Sequence, residues 1–203
     1  MIIEGAADLG RGSAAFSPDR RDRYWLTRSW PISMAADVSD DHRPLAFLGL
    51  NPSTADAFTD DPTIRRCVNF AKREGAGGLV MVNLSAMRST DPKALYAMLK
   101  RGVGVQQVHR AFAPEAFPAL LEAIAGCAGV VACFGNFAGA SVNAKSLLAN
   151  EARCLHRAIR GRGLPVWSIG TTQDGWPRHP LYLRNDARLE LWTPPTEDVH
   201  HAH

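Results

Sequence analysis

The sequence predicts an α/β protein of three layers, α/β/α, with a mainly parallel, four-stranded central sheet. Three observations carry that expectation. Short continuous apolar runs recur at 45–50, 78–84, 130–134 and 165–170, as in strands buried on both faces. Stretches of helical spacing separate them, the alternation typical of βαβ units. Gly, Asn or Ser punctuates the end of each run, so polar residues collect at strand ends, where open α/β sheets hold their ligand crevice.

Met1 to Asp22 mix Gly, Ala, Ser and Arg without periodicity and read as a flexible arm. Arg20, Arg21 and Arg23 form a small basic cluster at its end, better suited to solvent than to a phosphate. Arg23 to Trp30 (RYWLTRSW) alternates and is aromatic-rich, predicting an antiparallel or edge strand. Pro31 to Arg43, with Asp37, Asp40, Asp41 and His42, reads as a loop. Leu45 to Leu50 is the first buried strand, and Gly49 and Pro52 end it. Asn51, Ser53, Thr54 and Asp56 would then stand at the sheet's rim.

Asp61-Pro62 is a helix start, because Asp caps and Pro suits the first helical position. Ile64, Cys67, Val68 and Ala71 follow at helical spacing, and Gly75 closes the helix. Gly78 to Leu84 is the second buried strand. Asp91-Pro92 opens a short helix through Lys100, and Pro114 to Gly126 a further one. Val130 to Asn136 is the third strand, Ala138 to Arg160 a long amphipathic helix, and Pro165 to Gly170 the fourth strand. Ala187 to Trp192 alternates and suits a last edge segment. Without repeats or a linker, 23–195 reads as one domain and 196–203 as a tail.

Composition sets the bounds. A chain of 203 residues that is 46% hydrophobic can bury one good core. A net charge of +3 permits a nucleic-acid partner without arguing for one, since a clustered basic patch is the signal. Cys67, Cys127, Cys133 and Cys154 include no Cys-x-x-Cys pair and read as reduced core thiols of a cytoplasmic protein. No signal pattern is present, and no apolar run approaches the roughly 20 residues that span a bilayer, so no membrane partner is expected.

Several chemistries are excluded by missing motifs. The chain lacks a G-x-x-x-x-G-K-[ST] loop, a G-x-G-x-x-G turn after the first strand and a G-x-S-x-G elbow. Gly102-Val103-Gly104 follows a helix and does not qualify. No cofactor is expected and no metal, a site on Asp56, Asp60 and His179 being the minor alternative. What remains is a set of polar strand ends: Asn51-Pro52-Ser53, Asn83 with Arg88 downstream, Gly135-Asn136, and the late His179-Pro180.

Gly-Leu-Asn-Pro-Ser, Val-Asn-Leu-Ser-Ala-Met-Arg-Ser, Val-Val-Ala-Cys-Phe-Gly-Asn-Phe-Ala and His-Pro-Leu, in that order, resemble the motifs of the uracil-DNA glycosylase superfamily. The likeness runs from about Leu45 to Leu183. RYWLTR before LGLNPSTAD also resembles an uncharacterised bacterial and phage family without assigned activity. The first resemblance implies a uracil-DNA glycosylase-like fold and hydrolysis of a nucleobase N-glycosidic bond, with a modified or deaminated base in DNA as substrate. It implies catalytic roles for Asn51, which would order the attacking water, and His179, which would stabilise charge on the leaving base. Base-binding roles fall to Asn136, Asn83, Ser53 and Phe47. Arg88, Arg178 and Arg184 are candidate phosphate contacts, and Asp56 a candidate for water activation. Leu181 or Tyr182 is a candidate wedge, although an apolar triplet is better suited to core packing. Two alternatives stay open: a non-catalytic binder of nucleic acid or nucleotide, and an enzyme acting on free nucleosides or nucleotides.

Overall fold

The structure is a computed structural model and describes residues 1–5, 12–31, 41–100, 108 and 111–196. Asp37, Asp40, the Gly102-Val103-Gly104 stretch and the tail from 197 onward lie outside the described residues. The strands are β1 (Ile2–Glu4), β2 (Ser13–Phe16), β3 (Arg23–Ser29), β4 (Leu45–Gly49), β5 (Gly78–Asn83), β6 (Gly129–Ala132), β7 (Val166–Ser168) and β8 (Glu190–Leu191). The helices are α1 (Pro62–Arg73), α2 (Pro92–Lys100), α3 (Ala116–Ala123) and α4 (Val142–Gly161), with a 3-10 turn at Pro180–Tyr182.

All eight strands among the described residues form one mixed sheet, in the order β1-β2-β3-β5-β4-β6-β7-β8. The expected four-stranded sheet is therefore too small. β4 pairs in parallel with β5 and β6, and β6 with β7. The other four neighbour pairings, β1–β2, β2–β3, β3–β5 and β7–β8, are antiparallel, so the sheet is mostly antiparallel and not mainly parallel as expected. Two of the added strands lie within the first 22 residues, where a loose arm was expected. They are too short, at three and four residues, to show an alternating pattern. β3 is antiparallel to both its neighbours and is not an edge.

The fully buried strands explain the apolar runs. Leu45, Phe47, Leu79, Met81 and Val131 face α1 through Ile64, Cys67, Phe70 and Ala71. Ala46, Leu48, Val80, Val82 and Val130 face the other way, toward Leu95 and Leu99 of α2, Leu120 and Leu121 of α3, and Leu148 and Leu155 of α4. Helix α1 starts as its sequence dictates: Asp61 Oδ1 accepts from Ile64 N at 2.8 Å and Pro62 occupies the first turn. Helix α4 begins at Val142, four residues later than expected, because Ser141 Oγ caps it by accepting from Ala144 N.

This arrangement locates the site. β4 lies between β5 and β6; the chain passes from β4 to β5 through α1 on one face of the sheet, then returns past β4 to β6 through α2 and α3 on the other. Such a reversal of strand order opens a crevice at the carboxyl end of the strand concerned.

Candidate functional site

A cavity of about 510 Å³ occupies that crevice, lined by the ends of β4, β5 and β6, the start of α1, Arg23 of β3 and the turn at 179–182. Its volume lies within the roughly 300–1,000 Å³ of small-molecule sites. Of the residues singled out in the sequence, Asn51, Ser53, Asn83, Asn136 and His179 all line it.

Asn51 is oriented by its own backbone surroundings. Its Nδ2 donates to the carbonyls of Pro52, at 3.1 Å, and Ser89, at 2.9 Å. Both amide hydrogens are thereby used, which fixes the side-chain orientation and leaves Oδ1 as a pure acceptor. The contact also ties the loop after β4 to that after β5.

Asn83 closes β5 and is buried, yet neither its Nδ2 nor its Oδ1 has a hydrogen-bond partner. A buried amide left unpaired is costly, and native proteins rarely keep one without a use for it. Gly49, its register partner on β4, makes room: a Cβ there would stand 2.7 Å from Asn83 Oδ1 and 3.0 Å from Met81 Cε.

Arg23, at the bulge where β2 and β3 slip register, is only 2% exposed. Its Nη1 donates to Ala55 O at 2.9 Å, while Nε is buried without a partner. Burial pushes the guanidinium down to about 10, with Asp61 opposing that shift and Arg88 and Arg28 adding to it. It is still a cation at neutral pH. This corrects its reading as part of a solvated basic arm; its cluster neighbours Arg20 and Arg21 do meet solvent, in ion pairs with Glu4 and Asp19.

The loop after β6 carries Asn136 between two residues of positive φ, Gly135 (+84°) and Phe137 (+58°). Phe137 tolerates that conformation because its ring stacks on Phe134, centroids 5.5 Å apart, and is backed by Trp176 at 5.2 Å. Both phenylalanines line the cavity.

His179 Nδ1 accepts from Leu181 N at 3.4 Å. The neutral ring therefore carries its proton on Nε2, a free donor. Burial lowers the His179 pKa from its ordinary 6.5, opposed by the charge of Asp61, so the ring is neutral at pH 7. Beyond it, Leu181 is 46% and Tyr182 83% exposed, so of the apolar triplet only Leu183 packs against the core. Leu181 and Tyr182 line the rim.

The remaining candidates lie elsewhere. Phe47 is wholly buried on the α1 face of the sheet and does not line the cavity, because alternate residues of a two-sided strand point into a core. Asp56 Oδ1 accepts from Phe58 N and Thr59 N, both at 2.8 Å, building a turn outside the cavity. Arg88 stacks over Phe16, its Cζ 5.1 Å from the ring centroid, while Arg20 stacks there at 4.7 Å. Arg178 donates to Thr171 O and Arg184 pairs with Asp186, and neither lines the cavity. Conversely, sequence reasoning passed over Arg23 and treated Asp61 as a cap alone. Asp61 is the one carboxylate among the lining residues. The lining aromatics are Phe134, Phe137, Tyr96 and Tyr182. The Gly-Asn-Phe punctuation after the third strand was the only signal of the phenylalanines in the sequence, Tyr182 had been a candidate wedge, and Tyr96 carried no signal.

Among the described residues, no group of three or more His, Cys, Asp or Glu side chains could hold a metal ion. No described helix is long and apolar enough to cross a membrane. No curated protein and no solved structure matches the chain. Residues 23–181, most of its length, match the family described as "Protein of unknown function (DUF1643)", and the chain belongs to that family.

Proposed function

We propose that the cavity binds a nucleobase and hydrolyses its N-glycosidic bond, in the manner and with the fold of uracil-DNA glycosylase-like enzymes. The observation that supports this most is Asn83, a cavity-lining residue whose amide donor and acceptor are both buried and unpaired. That pattern complements the N–H and C=O of a lactam edge, as in uracil or hypoxanthine. Phe134 and Phe137 offer apolar aromatic surface to the ring, and Asn136 and Ser53 add polar groups.

The chemistry follows from the same side chains. Asn51 Oδ1 accepts a hydrogen bond from water and orients its oxygen toward C1′ of the sugar. The new C–O bond forms as the C–N bond breaks, and the bonding electron pair leaves with the base. Neutral His179 donates from Nε2 to the negative charge gathering on the base, a contact stronger in the transition state than before it. Asp61 accepts the proton that water releases and can pass it to the departed base.

DNA is the carrier implied by the motif order, with exposed Leu181 and Tyr182 as a wedge at the rim. One observation favours a second reading, free nucleotides: among the described residues that line the cavity, the only Arg or Lys is the buried Arg23, whereas a phosphate backbone is tracked by exposed cations. To test the main proposal, the protein and an Asn51→Ala/His179→Ala control are incubated with oligonucleotides bearing uracil, hypoxanthine or hydroxymethyluracil. Abasic sites above the control support it; their absence overturns DNA as carrier. Salt-sensitive binding without base release would identify a non-catalytic nucleic-acid binder instead.

A further inference from the structure

We infer that Arg23 seats a phosphate monoester of the cavity's ligand, so that the molecule bound there is a free nucleoside monophosphate rather than a base in duplex DNA. The inference deepens the base-binding reading above and rests on it for the nucleoside half of the ligand.

Among the described residues, Arg23 is a buried cation with no ion-pair partner. Its Nη1 donates to the Ala55 carbonyl, and its Nε is buried without a partner. Among the described residues no carboxylate lies within ion-pair distance of it, and Asp61, the nearest compensating charge felt by it, already spends Oδ1 on Ile64 N. Its cationic neighbours are otherwise engaged. Arg28 pairs with Asp60 at 2.7 Å, and Arg88 lies over Phe16. Arg23 is thus a buried charge that no described carboxylate meets at ion-pair distance, and a guanidinium taken out of water is stable only when an anion or several acceptors meet its N–H groups.

A second feature points the same way. The first turn of α1, a helix of 12 residues, lines the same cavity through Pro62, Thr63 and Ile64. Its positive dipole end favours an anion. A monoester is favoured over a backbone diester by access. A guanidinium that is 2% exposed is reached only by a group entering the cavity end-on. A diester, continued by nucleotides on both sides, cannot do so, whereas the terminal phosphate of a nucleotide can.

The test uses the whole chain and measures affinity by calorimetry for matched pairs: uridine against uridine 5′-monophosphate, inosine against inosine 5′-monophosphate, and inorganic phosphate alone. Wild type, Arg23→Gln, Arg23→Lys and Asn83→Leu are compared after thermal melting confirms that each is folded. Wild type is expected to favour a nucleotide over its nucleoside by about tenfold or more, as for a charge-assisted contact. Arg23→Gln should bring that ratio close to one, and Arg23→Lys should restore part of it. Equal affinity within each pair in wild type, or a preference that survives Arg23→Gln, overturns the inference. Nucleosides that bind in an Asn83-dependent way without a nucleotide preference leave the base reading standing and remove only the phosphate seat. Arg23-dependent binding of inorganic phosphate alone does the reverse. No binding of any probe overturns both.

Discussion

The amide of Asn83 lies over the Cα of Gly49, so close that a Cβ at position 49 would fall 2.7 Å from Oδ1. The two residues are register partners across β4 and β5. Gly49→Ala should therefore push the Asn83 side chain, with Met81 Cε, out of place. Both are free ends of flexible side chains, so the stability cost should be modest, about 1 kcal/mol. Ligand affinity should fall further than stability does. Urea unfolding beside calorimetric titration separates the two, and an unchanged affinity would contradict the pairing.

Asn83 itself offers a sharper contrast. Both of its polar atoms are buried and unpaired. Replacing it with the near-isosteric Leu removes that penalty and should leave the free protein as stable as before, or up to about 1 kcal/mol more stable. Nucleobase binding should be lost at the same time. A destabilised Asn83→Leu protein would show that the amide is satisfied in the free state.

Asp61 carries two roles that substitutions can divide. Asp61→Ala removes the cap of α1 and should cost about 0.5–2 kcal/mol. Asp61→Asn and Asp61→Ser keep a capping oxygen and should cost much less. Under the proposed mechanism, all three should slow base release by about 10²–10⁴, as expected for a lost proton acceptor. A single-turnover assay beside thermal melting tells the roles apart, and full activity in Asp61→Asn would reduce Asp61 to a cap.

Burial holds the pKa of both His179 and His156 below 6.5, with Asp61 opposing at His179 and the Trp192 carbonyl at His156. The folded chain thus binds these protons less tightly than the unfolded chain. Their contribution to stability is complete above about pH 6.5 and is lost progressively as pH falls from there through the lowered folded-state values. Unfolding free energies at pH 7.5 and 5.5 should show the drop. It should be smaller in His179→Gln and in His156→Gln, and a drop as large as that of wild type in both variants would disprove the assignment.

Much of this was legible in the chain before folding was considered. Leu45–Gly49, Gly78–Asn83 and Gly129–Ala132 are buried at every position, so their apolar character needs no tertiary context. Asp61-Pro62 and Asp91-Pro92 each mark a helix start for purely local reasons. β1 and β2 were not legible, since Ile-Ile-Glu and Ser-Ala-Ala-Phe are strands only beside β3. Arg23 was the costliest omission. Nothing in Arg-Asp-Arg-Tyr separates a solvated arginine from a buried one, and only the bulge opposite Ala15 and Phe16 turns it inward. Phe47 erred in the opposite direction: its strand was recognised, but which neighbour its ring faces depends on where α1 packs.

The lining of the cavity comes from five separated parts of the chain: position 23, 49–64, 81–96, 133–138 and 179–182. β4 cannot complete its pairing until β6, some eighty residues later, has joined it. Long-range pairing of this kind slows folding, and no fragment lacking the last of these segments holds a finished pocket. A bound ligand therefore reports that folding is complete. By bridging segments that must separate when the sheet comes apart, it should also retard global unfolding, so the rate of unfolding in denaturant is a direct means of finding the natural occupant.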